Sequence, residues 1–123
     1  MPATSAQQTG RRGEQAAVEH LRRNGYTIVT RNWRCPYGEI DIVAQKGELL
    51  VFIEVRARHT TTTEPTFESV TPRKRERMTK SAYAYLSQQG LPSDEGWRID
   101  VIGVALPRDG PPVIDHVEDA LAW

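Results

Sequence analysis

The stretch GEIDIVAQKGELLVFIEVRAR, residues 38–58, constrains this chain more than any other. Two short runs alternate with period two on either side of a turn signal, the pattern of a β-hairpin. Acids nevertheless stand where apolar residues would serve a half-buried sheet. In the first run Glu39, Asp41 and Val43 share one face, while Ile40, Ile42 and Ala44 share the other; in the second, Leu50, Phe52, Glu54, Arg56 and Arg58 share a face. With Lys46 and Gly47 as the central turn residues, Gln45 lies opposite Glu48, Asp41 opposite Phe52 and Glu39 opposite Glu54, with Asp41 diagonal to Glu54. Three carboxylates then crowd one patch. Like charges facing one another in a sheet repel, so the arrangement calls for a base, a protonated partner or a bound metal. Arg56 and Arg58 supply part of that charge. An ordinary solvated face is the bland alternative, and Leu50 and Phe52 on the same face argue against it. Two carboxylates, Asp41 and Glu54, suit a hard divalent ion such as Mg2+ or Mn2+, and ions held in this way often meet substrate phosphates. Phosphodiester chemistry is therefore the leading expectation.

A second acid belongs with these. The pattern of residues 11–24 predicts a helix in which Glu14, Ala17, Val18 and Leu21 form one inward stripe. Glu14 either aids the positive helix start or, packed across the sheet, approaches Asp41 and Glu54.

Length and charge narrow the partners. A chain of 123 residues suits one domain with a modest core. No apolar run reaches membrane-spanning length and the start lacks a secretory signal, so the expectation is a cytoplasmic protein with no membrane partner. Cys35 alone makes neither an internal disulfide nor a zinc cage, and His20, His59 and His116 lack ligand spacing. Formal net charge is zero, but residues 1–80 hold fourteen bases against nine acids and residues 81–123 two bases against seven acids. The basic part contains the candidate site. Arg73, Lys74, Arg75, Arg77 and Lys80 cluster at the start of a second predicted helix, and Arg11, Arg12, Arg22 and Arg23 lie on the first. With Arg58 they are candidates for phosphate contact, a solvated helix face being the alternative.

Turn and cap signals give the layout. Residues 1–9 read as a disordered tail, and residues 10–123 as the single domain. After the first helix, residues 26–33 read as a strand and the hairpin of residues 39–57 supplies two more. Residues 59–68, rich in Thr, read as a mobile loop placed to fold over a substrate. Thr71 as N-cap and Pro72 at the first helical position open the second helix, which turns Met78, Ala82, Tyr85 and Leu86 inward and stops before Gly90 and Pro92. Residues 97–106 and 113–116 read as two last strands, with Leu121 and Trp123 pinning the C-terminus to the core. Asp100, inside an apolar run, is expected to pair structurally with a base such as Arg98. Trp33 is expected in the core.

The motifs GRRGEQAAVEHL, RNW, GEIDIVA, FIEVRAR, SVTPRKRERM with AYAYL, WRIDVIGV and VIDHVEDAL, spread over residues 10–121, resemble the YraN family of uncharacterised bacterial proteins. That family in turn is similar to the PD-(D/E)XK nucleases and the archaeal Holliday junction resolvases, whose site joins a helix Glu, a strand Asp and a Glu-x-Lys on the next strand. The resemblance implies an α/β restriction-endonuclease-like, resolvase-like core: a mixed five-stranded sheet with flanking helices in the order αβββαββ. It maps Glu14, Asp41 and Glu54 onto the catalytic acids, with Asp41 and Glu54 as metal ligands and Glu39 accessory. Arg56 stands where such sites carry lysine. A guanidinium pairs with phosphate oxygens and offsets developing charge but does not act as a base. Three readings stay open: Arg56 substitutes electrostatically, Lys74 moves in from the second helix, or the site binds without cutting. The expectation is a Mg2+- or Mn2+-dependent endonuclease acting on DNA, branched or single-stranded, with a homodimer as one possible assembly. The alternatives are a non-catalytic nucleic-acid-binding module and a protein-interaction domain.

Overall fold

The computed structural model describes residues 4–60 and 70–120. The expected Thr-rich loop lies almost wholly outside these residues, as do Leu121 and Trp123. The element order is α1 (Ser5–Arg23), β1 (Thr27–Cys35), β2 (Gly38–Lys46), β3 (Leu49–Arg58), α2 (Pro72–Gln89), β4 (Trp97–Ala105) and β5 (Val113–Val117). This is the αβββαββ order expected of a restriction-endonuclease-like core.

The five strands form one sheet in sequence order. β1, β2 and β3 run as an antiparallel meander, α2 carries the chain over to β4 parallel to β3, and β5 returns antiparallel at the far edge. The sheet is mixed because only one connection, that through α2, is long enough for a parallel crossover. Alternating strand residues feed two apolar layers. Val18 and Leu21 of α1 pack with Ile42, Ile53, Ile102 and Val104. Met78, Ala82 and Tyr85 of α2 pack with Val43, Phe52 and Val101 on the other face. The helices thus cover opposite faces, and β4, apolar on both, is buried along nearly its whole length. Trp33 packs edge-on against Tyr85, as expected of a core aromatic. No helix among the described residues is long and apolar enough to cross a membrane.

Two expectations need correction. α1 starts at Ser5, so Ser5 to Thr9 are helical rather than part of a disordered tail. Thr4 and Gln7 form a capping box: the Gln7 N–H donates to Thr4 Oγ1 at 3.1 Å and the Thr4 N–H to Gln7 Oε1 at 2.8 Å. The hairpin register is also shifted by two. Lys46 pairs with Leu49, Val43 with Phe52 and Ile42 with Ile53. The central turn residues are therefore Gly47 and Glu48, and Gly47 alone has positive φ, at 61°. Glycine at the first central position is what a type II′ turn demands, whereas the expected turn would have put Lys46 there. The pairing ends at Ile42 and Ile53, so the expected pairs of Asp41 with Phe52 and Glu39 with Glu54 do not form.

Candidate functional site

The site grows from an irregularity in β2. Ile42 and Ala44 pack on the α1 face, but Ile40 joins Val43 on the α2 face, so alternation breaks around Asp41. The β2–β3 pairing runs only as far as Ile42 and Ile53. Where it stops, the Val55 N–H donates to Asp41 Oδ2 at 2.8 Å, so a side-chain carboxylate replaces the neighbouring strand as acceptor. On the other side, between the Arg31–Ile42 and Trp33–Ile40 pairs, Asn32 lies opposite Asp41 with φ at 52°. Asparagine tolerates this left-handed backbone better than most residues.

Asn32 ties the acids together. Its Nδ2 donates to Glu14 Oε2 at 3.0 Å and to Glu39 Oε1 at 2.8 Å. Arg31 Nε donates to the other Glu14 oxygen at 3.0 Å. Glu14 reaches this point because α1 packs tightly on β3: a Cβ on Gly13 would collide with Ala57. The Glu14 and Glu54 side chains are each only 14 % exposed. Burial, and then the charges of Glu54, Glu14 and Glu39, push the Asp41 carboxyl up to about 7 against the opposing Val55 N–H.

An open cleft of about 820 Å³ lies over these groups, lined by Glu14, Asn32, Glu39 and Asp41 and by Arg11, Arg31, Arg34, Arg56 and Arg58. Acids at the floor and guanidinium groups on the walls suit a ligand that carries anions and meets a cation. The structure thus brings Glu14, Glu39, Asp41, Arg56 and Arg58 into one cleft. Glu54 does not line it. Its carboxylate is engaged by Arg77 of α2, whose Nη2 donates to Oε1 at 3.3 Å and to Oε2 at 3.2 Å, while Arg56 Nη1 stands 3.9 Å away. Arg77, expected among the phosphate contacts, points at an acid.

Of the other bases in that group, Arg73 is exposed, whereas Lys74 and Arg75 are half-buried. Lys74 is held below the usual lysine range by desolvation first and by the Arg56 charge second, which puts its ammonium in the same electrostatic neighbourhood.

The donor set is all oxygen, which fits Mg2+ or Mn2+ better than zinc. Among the described residues, no three His, Cys, Asp or Glu side chains converge closely enough to cage an ion.

Outside the cleft, Asp100 is fully buried and takes the structural role expected of it. Arg98 donates to both its oxygens, at 2.8 and 3.1 Å, the Asp119 N–H donates at 3.0 Å, and His116 Nε2 lies 2.7 Å away. Cys35 Sγ donates to Ser81 Oγ at 3.6 Å inside the fold, in keeping with a packing role. Sequence reasoning missed Asn32 and Arg31 as site residues. The RNW motif carried the signal, but the reasons asparagine stands there, its positive φ and its two bonds to Glu14 and Glu39, appear only in the fold.

Residues 13–104 match the uncharacterised protein family UPF0102. A UPF0102 protein of Chloroflexus aurantiacus is 47% identical over 113 residues, covering 92% of this chain and 90% of that protein. One from Streptomyces griseus is 44% identical over 107 residues, covering 87% and 90%. Among solved structures, Pyrococcus furiosus SfsA in complex with Ca2+ aligns with a TM-score of 0.43 and 16% identity over 92% of this chain and 63% of its own. The chain belongs to UPF0102, the family known as YraN that its motifs resemble.

Proposed function

We propose that this protein is a metal-dependent endonuclease that hydrolyses phosphodiester bonds in DNA at the Asp41 cleft. The observation that carries this reading is the meeting of Glu14, Glu39 and Asp41 at the point where β2 and β3 part, under a cleft walled by five arginines. Crowded carboxylates of this kind are relieved by a cation, and Asp41 with Glu54 are the residues that would hold Mg2+ or Mn2+. Such an ion, when bound, polarises the scissile phosphate and lowers the pKa of its water.

The chain's own residues supply the rest. Arg56 pairs with phosphate oxygens and offsets charge that develops on them. Arg11, Arg34 and Arg58 hold the flanking backbone, and Asn32 keeps Glu14 and Glu39 in place beside Asp41. Lys74, with its lowered pKa, is the base closest in character to the missing lysine.

The second reading, a DNA-binding module that does not cut, is favoured by Arg56 at the lysine position and by the arginine partners of Glu54. Cleavage of labelled branched, single-stranded and duplex DNA with Mn2+ or Mg2+ separates the two, with chelator and Asp41→Ala as controls. Metal-dependent cleavage lost in Asp41→Ala is the expected result, and the preferred substrate names the DNA form. Salt-sensitive binding with no cleavage under any condition supports the second reading. A protein-interaction domain predicts neither cleavage nor binding. Preference for branched DNA, with its paired scissile sites, would call for a homodimer, which sedimentation with the junction reads directly.

A further inference from the structure

Glu54 is the one expected metal ligand that faces away from the cleft, and Arg77 is what it faces. Arg77 lies in the second turn of α2 and reaches Glu54 by crossing Gly38. A Cβ on Gly38 would come within 3.0 Å of Arg77 Cδ and 3.4 Å of Cγ, so the missing side chain at the start of β2 leaves room for the arginine stem. At its end, Nη2 contacts both Glu54 oxygens. A carboxylate with both oxygens engaged in this way does not turn toward Asp41 unless the guanidinium lets go.

We propose that Arg77 is a positioning residue that occupies the cation's place beside Glu54, so that Arg77 and a divalent cation compete for this carboxylate. This rests on the reading of Asp41 and Glu54 as cation ligands. A guanidinium pairs with phosphate through the same two-pronged hydrogen bonds that it gives a carboxylate, and a DNA phosphate entering beside α2 offers two oxygens that share one negative charge. Phosphate draws Arg77 off Glu54, Glu54 turns to the cation, and substrate binding and cation binding become mutually reinforcing. By linkage the coupling is the same read from either ligand. Without substrate, the acids stay partly neutralised by the protein's own arginine.

The test is Mn2+ titration of the full chain, followed by Mn2+ electron paramagnetic resonance, which requires no turnover. Arg77→Gln keeps most of the stem over Gly38 and removes the charge, and thermal melting checks that it folds. Arg77→Gln is expected to bind Mn2+ about fivefold more tightly than wild type, the scale of a partly exposed ion pair. Arg77→Lys is expected near wild type. A short phosphorothioate DNA is expected to tighten Mn2+ binding by wild type and to have a smaller effect on Arg77→Gln. Equal or weaker Mn2+ binding by Arg77→Gln, with binding by wild type lost in Asp41→Asn, overturns the competition and leaves the cation site standing. Mn2+ binding by none of these proteins, or binding unchanged in Asp41→Asn, overturns the cation site and the competition with it.

Discussion

The Asp41 carboxyl is the residue on which local structure and chemistry meet. Its upward shift to about 7 means that the folded chain holds this proton more firmly than the unfolded chain, whose pKa is near 3.8. Folding stability is therefore lost as pH rises from about 4 to about 7. Asp41→Asn removes the charge and keeps an oxygen for the Val55 N–H. In chelator, urea denaturation is expected to find Asp41→Asn more stable than wild type at pH 8 by about 1–4 kcal/mol, the gap closing by pH 4. A gap that stays constant over that range would mean that neither burial nor the neighbouring acids raise the Asp41 pKa. Asn32 supports a second prediction at this scale. Asn32→Gly loses the bridge between Glu14 and Glu39 but keeps the left-handed backbone, while Asn32→Ala loses both. Asn32→Ala is expected to be the less stable of the two by about 1 kcal/mol, and chemical denaturation of the pair isolates the backbone contribution. Equal stability would mean that position 32 does not need its positive φ. Asp41 was legible from its alternation, because an acid amid Ile40, Ile42 and Val43 is costly without a purpose. Asn32 was not, because a positive φ leaves little trace in one sequence.

At the scale of elements, α1 and the hairpin carry the site, and they were read with different success. Thr71, Pro72 and Gly90 bound α2 as expected, since each meets a specific backbone requirement. The hairpin's existence was plain, but its register depends on which two residues turn, and Lys46–Gly47 and Gly47–Glu48 both contain the glycine. The start of α1 is also written in the sequence, since Thr4 and Gln7 spell a capping box, but four polar residues after the cap hide it from a reading based on apolar periodicity. Those first turns matter, because Gln7, Thr9 and Gly10 form part of the cleft wall and Thr9 Oγ1 lies 2.7 Å from His59 Nε2 at the end of β3. Gly13 fixes how closely α1 approaches. Gly13→Ala is expected to push α1 from Ala57, to cost about 1–3 kcal/mol by overpacking, and to move Glu14 away from Arg31 and Asn32. The reading is denaturation together with Mn2+ affinity. A Gly13→Ala protein as stable as wild type would show that α1 does not need its close seat on β3.

The whole molecule has no net charge, yet its sheet order separates the signs. β1, β2 and β3 carry the arginine-lined cleft, while Asp109, Asp115, Glu118 and Asp119 accompany β5 at the far edge. A neutral protein arranged in this way approaches a polyanion with one side, and its field orients the encounter without adding overall attraction. Binding to DNA should then fall linearly in log affinity with log salt, since each neutralised phosphate releases counterions. Arg58 is exposed on the cleft wall, and Asp115 stands on β5 at the far edge of the sheet. Arg58→Ala is therefore expected to lower the magnitude of the salt slope by about 0.9 on duplex DNA and to weaken binding about equally for all sequences. Asp115→Asn is expected to leave the slope unchanged while raising the association rate at low salt, because it weakens the repelling pole without touching a phosphate contact. Fluorescence anisotropy over a salt series measures the slopes, and stopped flow the rates. An unchanged slope in Arg58→Ala would remove the cleft from the DNA path, whatever the protein's affinity.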